Sequence, residues 1–127
     1  MKNIVFLILR LLVAVILIQT LRFKFTGHPD SIYIFTQTGM EPYGRIAIGI
    51  LELIAAILIL IPKTIWLGAL ITLGILSGAI FFHLTKIGIE VHGDGGTLFY
   101  MALSTFILSG IILWFERKKL PIIGAML

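Results

Sequence analysis

The chain has 127 residues, of which 59% are hydrophobic and 13% are charged, and none is cysteine. Soluble domains average about 45–50% apolar and about 25% charged residues, so this composition excludes an ordinary soluble domain and indicates a membrane protein. The lack of cysteine excludes disulfide bonds, thiolate metal sites and dithiol redox chemistry. The net charge of +4 does not indicate nucleic-acid binding, because the basic residues flank apolar runs, where they would contact anionic headgroups.

Four apolar runs are long enough to cross a bilayer as helices. Each is close to the ~20 residues, within a range of about 17–25, that a helix needs to cross about 30 Å of hydrocarbon. We therefore predict an all-α integral membrane protein, a four-transmembrane-helix bundle that forms a single domain over residues 1–127. The predicted spans are 4–21, 44–61, 65–84 and 97–115.

The distribution of Lys and Arg predicts the orientation, because short cytoplasmic flanks carry the excess of basic residues. An even number of spans places both termini on one side. That side carries Lys2, Lys63, Arg117, Lys118 and Lys119, against Arg22, Lys24 and Lys86 on the other. We predict a multi-pass protein of the cell (inner) membrane with both termini in the cytoplasm.

The first outer loop, 22–43, is too long for a simple turn and has the signals of a short helix. Pro29 is followed by Asp30 and Ser31, either of which can serve as N-cap, and Gly39 is placed to end the helix. We predict a short interfacial helix that lies on the membrane surface or over the mouth of the bundle.

Two further features have structural interpretations. Gly74 and Gly78 form a small-xxx-small motif, which predicts close packing of the third span against a neighbour. Each outer loop contains a His-x-Asp sequence, 28–30 and 92–94. We interpret these as turn-forming Asp beside His, because further ligands at the spacing of a metal site are missing; no metal site is predicted.

Glu52 is the most anomalous residue, because it is the only charge within the apolar run 46–61. A carboxylate there costs about 2.5–3.5 kcal/mol on insertion scales, and such a residue needs a partner. Counted at about 1.5 Å per residue, Arg10 lies about 9 Å and Glu52 about 14 Å from the inner ends of their helices. This difference of about 5 Å predicts an Arg10–Glu52 ion pair.

Two interpretations of this pair stay open. In the first, the Arg10–Glu52 pair is structural and joins two helices without doing chemistry. In the second, Glu52 accepts a proton or anchors a ligand in a polar pocket, with Arg45 and His83 at its outer mouth and Lys24 nearby. Aromatic residues cluster at the same mouth, as they do in an interfacial belt or around a quinone.

Several segments, in the correct order along the chain, resemble the DoxX-like family of small membrane proteins. The resemblance rests on 21–27, Phe35, Gly39, 41–45, 48–52, 77–84 and 93–99, with Arg10 early in the first span. It implies a four-helix membrane bundle associated with respiratory or sulfur-linked redox, since relatives are named as quinone-reducing subunits or as partners of oxidative-stress enzymes. Relatives that handle disulfides carry cysteine pairs, which this chain lacks.

We therefore hold two functional hypotheses. The first is a quinone- or lipid-ligand-binding subunit of a membrane redox or oxidative-stress assembly, with Glu52, Arg45, His83 and Lys24 at the site. The second is a non-catalytic scaffold or interaction subunit with a structural Arg10–Glu52 pair. As an enzyme it would be at most an accessory subunit of a membrane oxidoreductase. No intrinsic cofactor is predicted and quinone is the candidate ligand; the expected partners are the bilayer, redox-enzyme subunits or a second copy, and not nucleic acid.

Overall fold

The computed structural model describes residues 2–91 and 93–120, without the side chains of Lys2, Asn3 and Phe23. The described part consists of helices and loops and contains no strand. Its α-helices are α1 (Lys2–Thr26), α2 (Pro29–Gln37), α3 (Tyr43–Leu60), α4 (Ile65–Phe82) and α5 (Thr97–Phe115). All except α2 are long and apolar enough to cross a membrane, which confirms the predicted all-α membrane bundle.

The observed helices match the predicted spans except at the far end of α1. This helix continues to Thr26, five residues beyond the predicted end at Leu21. No glycine or proline interrupts it before Gly27, whose φ of +70° is a conformation that ends helices readily. The extension carries Lys24 into the folded bundle, and this decides which residue pairs with Glu52.

The four long helices run alternately up and down and pack in the cyclic order α1, α3, α4, α5. Their core is built from aliphatic and small residues, among them Val13, Leu17, Ala56, Ile59 and Ile112. One end of the bundle carries α2, and we call it the α2 end. At the opposite end, here the terminal end, α1 begins and α5 stops.

The helix α2 lies over the mouth of the bundle rather than flat on the membrane surface. It begins two residues earlier than a cap at Asp30, and three earlier than a cap at Ser31, would require, because His28 is the N-cap and its Nδ1 accepts a hydrogen bond from the Asp30 N–H at 3.1 Å. Ser31 and Phe35 are buried beneath the helix. Gly39, at φ +74°, follows the helix as predicted.

Close packing of α3 and α4 occurs at Gly68 and not at the predicted Gly74–Gly78 motif. A Cβ on Gly68 would lie 2.7 Å from the Ile59 nitrogen and 2.8 Å from the Ala55 oxygen. A Cβ on Gly74 or on Gly78 would meet no atom within 4 Å. The motif prediction is therefore wrong, because at 3.6 residues per turn Gly74 and Gly78 lie on a different face of α4 from Gly68, which faces α3.

Candidate ligand-binding site

A cavity of about 350 Å³ lies beneath α2 at the α2 end of the bundle. All five α-helices contribute to its wall, which is mainly apolar. Its polar lining residues outside α2 and the segments that flank it are Thr20, Lys24, Glu52 and Thr105 on the long helices, and His83 directly after α4. Binding pockets for small molecules have volumes of about 300–1,000 Å³ and combine apolar walls with a few placed polar groups, so the cavity has the size and chemistry of a ligand site.

Lys24 of α1 and Glu52 of α3 form an ion pair in the cavity wall. Lys24 Nζ lies 3.0 Å from Glu52 Oε1 and 3.3 Å from Oε2, with side-chain exposures of 16% and 5%. Thr20 Oγ1 lies 3.0 Å from Glu52 Oε2 and 2.8 Å from the Leu17 oxygen, so its hydroxyl hydrogen can serve either acceptor. The partner of the anomalous carboxylate is therefore Lys24, supported by Thr20.

The predicted Arg10–Glu52 ion pair is not formed, and the direction of helical side chains explains why. Thr20 is level with Glu52, so Arg10 lies ten residues, or about 15 Å, farther toward the terminal end. Side chains lean toward the N-terminus of their own helix. In antiparallel helices Arg10 and Glu52 therefore lean apart, whereas Lys24 and Glu52 lean toward each other.

Arg10 instead caps the C-terminal end of α3. Its Nε donates to the Ile59 oxygen at 2.9 Å, and its Nη2 donates to the Leu60 oxygen at 2.9 Å. These carbonyls belong to the last turn of α3, where helical N–H partners are missing. Because Arg10 is buried, the guanidinium and the two carbonyl groups satisfy each other away from water, and the residue has a structural role far from the cavity.

Arg45 does not line the cavity, in contrast to its predicted place at the mouth. Its Nε lies 3.0 Å from both carboxylate oxygens of Glu41, one turn earlier. Its Nη1 donates to the backbone oxygen of Lys24. Since that oxygen belongs to the last turn of α1, Arg45 ties the end of α1 to the start of α3 and holds the backbone from which the Lys24 side chain extends.

His83 lines the cavity from the opposite side, on the π-helical turn His83–Ile87 that follows α4. It is only 5% exposed, and its ring packs edge-to-face on Phe99 with centroids 5.6 Å apart. Nδ1 lies 3.0 Å from the Gly88 oxygen. A carbonyl oxygen only accepts, so Nδ1 carries the hydrogen and the Nε2 of a neutral ring has a free lone pair. Within the described residues Nε2 has no hydrogen-bond partner.

The loop before α5 is organised by Asp94, as the turn interpretation predicts, whereas His92 lies outside the described residues. Asp94 Oδ1 accepts from the N–H groups of Val91 and Gly96 at 3.1 and 2.8 Å, and Oδ2 accepts from Leu98 at 3.2 Å. Burial raises the pKa of Asp94, but its backbone hydrogen bonds outweigh that effect and hold the pKa below 3.8. Asp94 is thus a structural carboxylate that caps α5.

Of the predicted site residues, Glu52, His83 and Lys24 line the cavity, whereas Thr20 and the direct pairing of Lys24 with Glu52 were not predicted. The available signal was the i, i+4 spacing of Thr20 and Lys24, which places both on one face of α1. It becomes informative only if α1 is taken to continue as far as Gly27, where the first helix breaker occurs. Thr105 of α5, which also lines the cavity, had no distinguishing signal among the other hydroxyl residues of the spans.

The fold and the cavity define a small four-helix membrane protein with a ligand-sized site between its helices. The sequence model of the DoxX family matches residues 5–85, well over half of the chain. The chain therefore belongs to the DoxX family, as the resemblance indicated. The matched segment includes Lys24, Glu52 and His83. No curated protein and no solved structure matches the chain.

Proposed function

We propose that this DoxX-family protein is a quinone-binding subunit of a membrane redox or oxidative-stress assembly. The observation that carries the proposal is the cavity, in which a mainly apolar wall surrounds the Lys24–Glu52 pair on one side and His83 on the other. A quinone head is a flat apolar ring with an oxygen on each of two opposite edges. Its chemistry matches a pocket of this composition.

The polar groups of the cavity suit the two redox forms of such a ring. The Lys24 ammonium has three N–H donors, of which contacts to the two Glu52 oxygens leave one for a quinone carbonyl. On the other side, the free lone pair of His83 Nε2 can accept a hydrogen bond from the hydroxyl of a quinol. The chain's own residues would thus orient the ring, exclude water and hold a proton at either edge, while electrons come from a partner subunit of the assembly.

Retention of quinone by the purified protein tests this function. The protein is extracted in mild detergent, its bound quinone is quantified after solvent extraction, and added quinone is titrated. We expect bound quinone in the wild type and its loss in Glu52→Gln, because a neutral amide no longer holds the Lys24 ammonium in place. Glu90→Gln, which changes an exposed loop carboxylate, is the matched control and should retain quinone. Wild-type protein without bound quinone or affinity for it contradicts the proposal.

A second candidate is a non-catalytic scaffold, favoured by the two buried polar links that join α1 to α3, Lys24–Glu52 and Arg10 with the end of α3. In this case a Lys24→Met/Glu52→Leu double variant should fold, because both charges are removed together, and should still assemble with its partners. Loss of assembly function in a folded double variant argues for the ligand site instead.

The location and orientation belong to the same proposal. We place the protein in the cell membrane with both termini in the cytoplasm and α2 on the outer face. The excess of Lys and Arg at the terminal end supports this orientation, since basic flanks are retained in the cytoplasm. Redox-enzyme subunits, or a further copy of this chain, are the proposed protein partners within the membrane.

A further inference from the structure

The helices α3 and α4 are in close contact near the terminal end, and both line the cavity at the α2 end. Near the terminal end, Gly68 of α4 lies against the backbone of Ala55 and Ile59 of α3. From Gly68 toward the α2 end, no comparable contact recurs at the next glycines of α4. At the α2 end the cavity is lined by Ile48 and Glu52 of α3 and by Gly74 and Gly78 of α4, so a gap lies between these parts of the two helices.

Gly74 and Gly78 form the α4 side of this gap. Because α3 and α4 are antiparallel, six residues beyond Gly68, or about 9 Å, place Gly74 near the level of Glu52. Gly78 comes one turn farther, near the level of Ile48. All four residues line the cavity. A Cβ on either glycine would meet no atom within 4 Å, so the space beside each glycine is open.

The gap reaches the lipid-facing surface. Gly74 is exposed although it lines the cavity. It lies on the flank of α4 between Ile75, which faces the cavity, and the exposed side chains of Leu70 and Phe81. The missing side chain of Gly74 thus leaves the cavity continuous with the surface that contacts hydrocarbon.

The aqueous mouth, in contrast, is covered. Ser31 and Phe35 of α2 are buried and line the cavity from above. Below α2, the Lys24–Glu52 pair and His83 lie at the depth that the gap reaches. His83 is nine-tenths or more buried, and its Nε2 is without a hydrogen-bond partner in the described part of the chain.

We propose that the gap between α3 and α4 at Gly74 and Gly78 is a lateral portal, through which a tailed quinone passes from the bilayer into the cavity. The inference rests on the proposed function and deepens it by naming the class of ligand. The head lies against Lys24, Glu52 and His83, and the apolar tail lies in the gap and continues into the lipid. The glycines leave room for the tail, and any side chain there would compete with it.

The test compares two quinones on one variant. Wild type and Gly74→Leu are purified in nanodiscs, and each is titrated with a quinone that carries a decyl or longer tail and with the same ring without a tail. Gly74→Leu should fold, because leucine has a higher helix propensity than glycine and its Cβ would meet no atom within 4 Å. Gly110→Leu is the matched control, since Gly110 on α5 has equally open space around it but lies away from the cavity.

In the wild type we expect both quinones to bind. In Gly74→Leu we expect the affinity for the tailed quinone to fall by about tenfold or more, because the leucine displaces about two buried methylene groups of the tail. The affinity for the tailless ring should stay within about threefold of the wild-type value. Gly110→Leu should behave as wild type with both ligands. A tailed quinone with a photoreactive group at mid-tail should cross-link to peptides from α3 and α4.

The possible outcomes distinguish a failure of the proposed portal from a failure of the proposed function. If the wild type binds neither quinone, the proposed function fails and the portal with it. If Gly74→Leu binds both quinones as the wild type does, the portal is overturned and the quinone site stands. Loss of both quinones in Gly74→Leu also overturns the portal, because the glycine then belongs to the head site. Tail cross-links to another copy of the chain, in place of α3 and α4, assign the gap to a protein contact and overturn it as well.

Discussion

Lys24 and Glu52 form a buried ion pair that joins α1 to α3, with Nζ 3.0 Å from Oε1. A lone carboxylate in an apolar span is costly, and the ammonium and the Thr20 hydroxyl offset that cost with direct contacts. The pair also lines the cavity. One pair of side chains thus joins two helices and forms part of the cavity wall.

Removing one member of this pair should strongly destabilise the protein. Lys24→Met leaves the Glu52 carboxylate buried without its cation, and breaking a buried pair in this way costs about 3–5 kcal/mol. The measurement is the free energy of unfolding in mixed micelles, followed by circular dichroism. Lys86→Met, which changes an exposed lysine of the π-helical turn after α4, is the control and should change stability little.

The double variant Lys24→Met/Glu52→Leu should recover most of that loss, because no unpaired charge remains and apolar replacements of a buried pair are often neutral. A single variant as stable as the wild type would show that the pair contributes no stability.

Arg10→Met should destabilise the bundle without affecting the cavity. The change removes two hydrogen bonds to the carbonyls of Ile59 and Leu60, and each buried acceptor left unsatisfied costs about 1–3 kcal/mol. Quinone affinity, measured on protein that remains folded, should stay at the wild-type value. Arg22→Met at an exposed position of the same helix is the control. Loss of quinone affinity in folded Arg10→Met would contradict the structural role.

His83→Phe should discriminate between the two redox forms of the ligand. Phenylalanine keeps an aromatic ring against Phe99 but removes the free acceptor at Nε2. Losing a net hydrogen bond of about 1 kcal/mol lowers affinity for a quinol by roughly fivefold to tenfold. The oxidised quinone, which has no hydroxyl to donate, should lose less. Equal losses for both forms, or none for either, would contradict an acceptor role for His83.

The sequence predicts the spans and α2 well, because long apolar runs, a Pro-Asp-Ser start and a terminal glycine are local signals. The partner of Glu52 required more than local information. A depth count from the inner ends of the two spans favours Arg10, and a first span that ends at Leu21 leaves Lys24 in the outer loop. In the structure the helix continues to Thr26. Side chains that lean toward their own N-termini then bring Lys24, not Arg10, to the carboxylate.

The cavity itself could not be predicted, since it depends on how all five α-helices pack together. Gly68, Gly74 and Gly78 are equivalent in the sequence as small residues of one span. Only the packing shows that a Cβ on Gly68 would strike the backbone of α3 while the other two positions face open space. The sequence likewise predicts Arg45 at the mouth of the cavity. In the structure its side chain instead contacts Glu41 and the Lys24 backbone and does not line the cavity.

Asp94 should give the loop before α5 a stability that depends on pH. Its backbone hydrogen bonds favour the charged form, so its folded-state pKa lies below the ordinary 3.8. The stabilisation is therefore present above pH 3.8 and is lost as the pH falls from there through the folded-state pKa.

Asp94→Asn, which cannot be ionised, should be less stable than the wild type at neutral pH, and the difference should shrink below pH 3.8. Thermal unfolding across this range measures it, with Glu90→Gln as the control for loss of a loop charge. A difference that does not depend on pH would contradict the assignment of the stabilisation to the Asp94 carboxylate.

The proposed orientation can be measured directly, because the natural chain has no cysteine and a single introduced thiol is the only one present. Thr36→Cys on α2 and Lys63→Cys at the terminal end both change exposed residues. In intact cells a membrane-impermeant maleimide should label Thr36→Cys and spare Lys63→Cys, because the basic flank of the terminal end is expected in the cytoplasm. After permeabilisation both should react, which controls for access. The reverse pattern would place α2 in the cytoplasm and move the covered mouth of the cavity to that face.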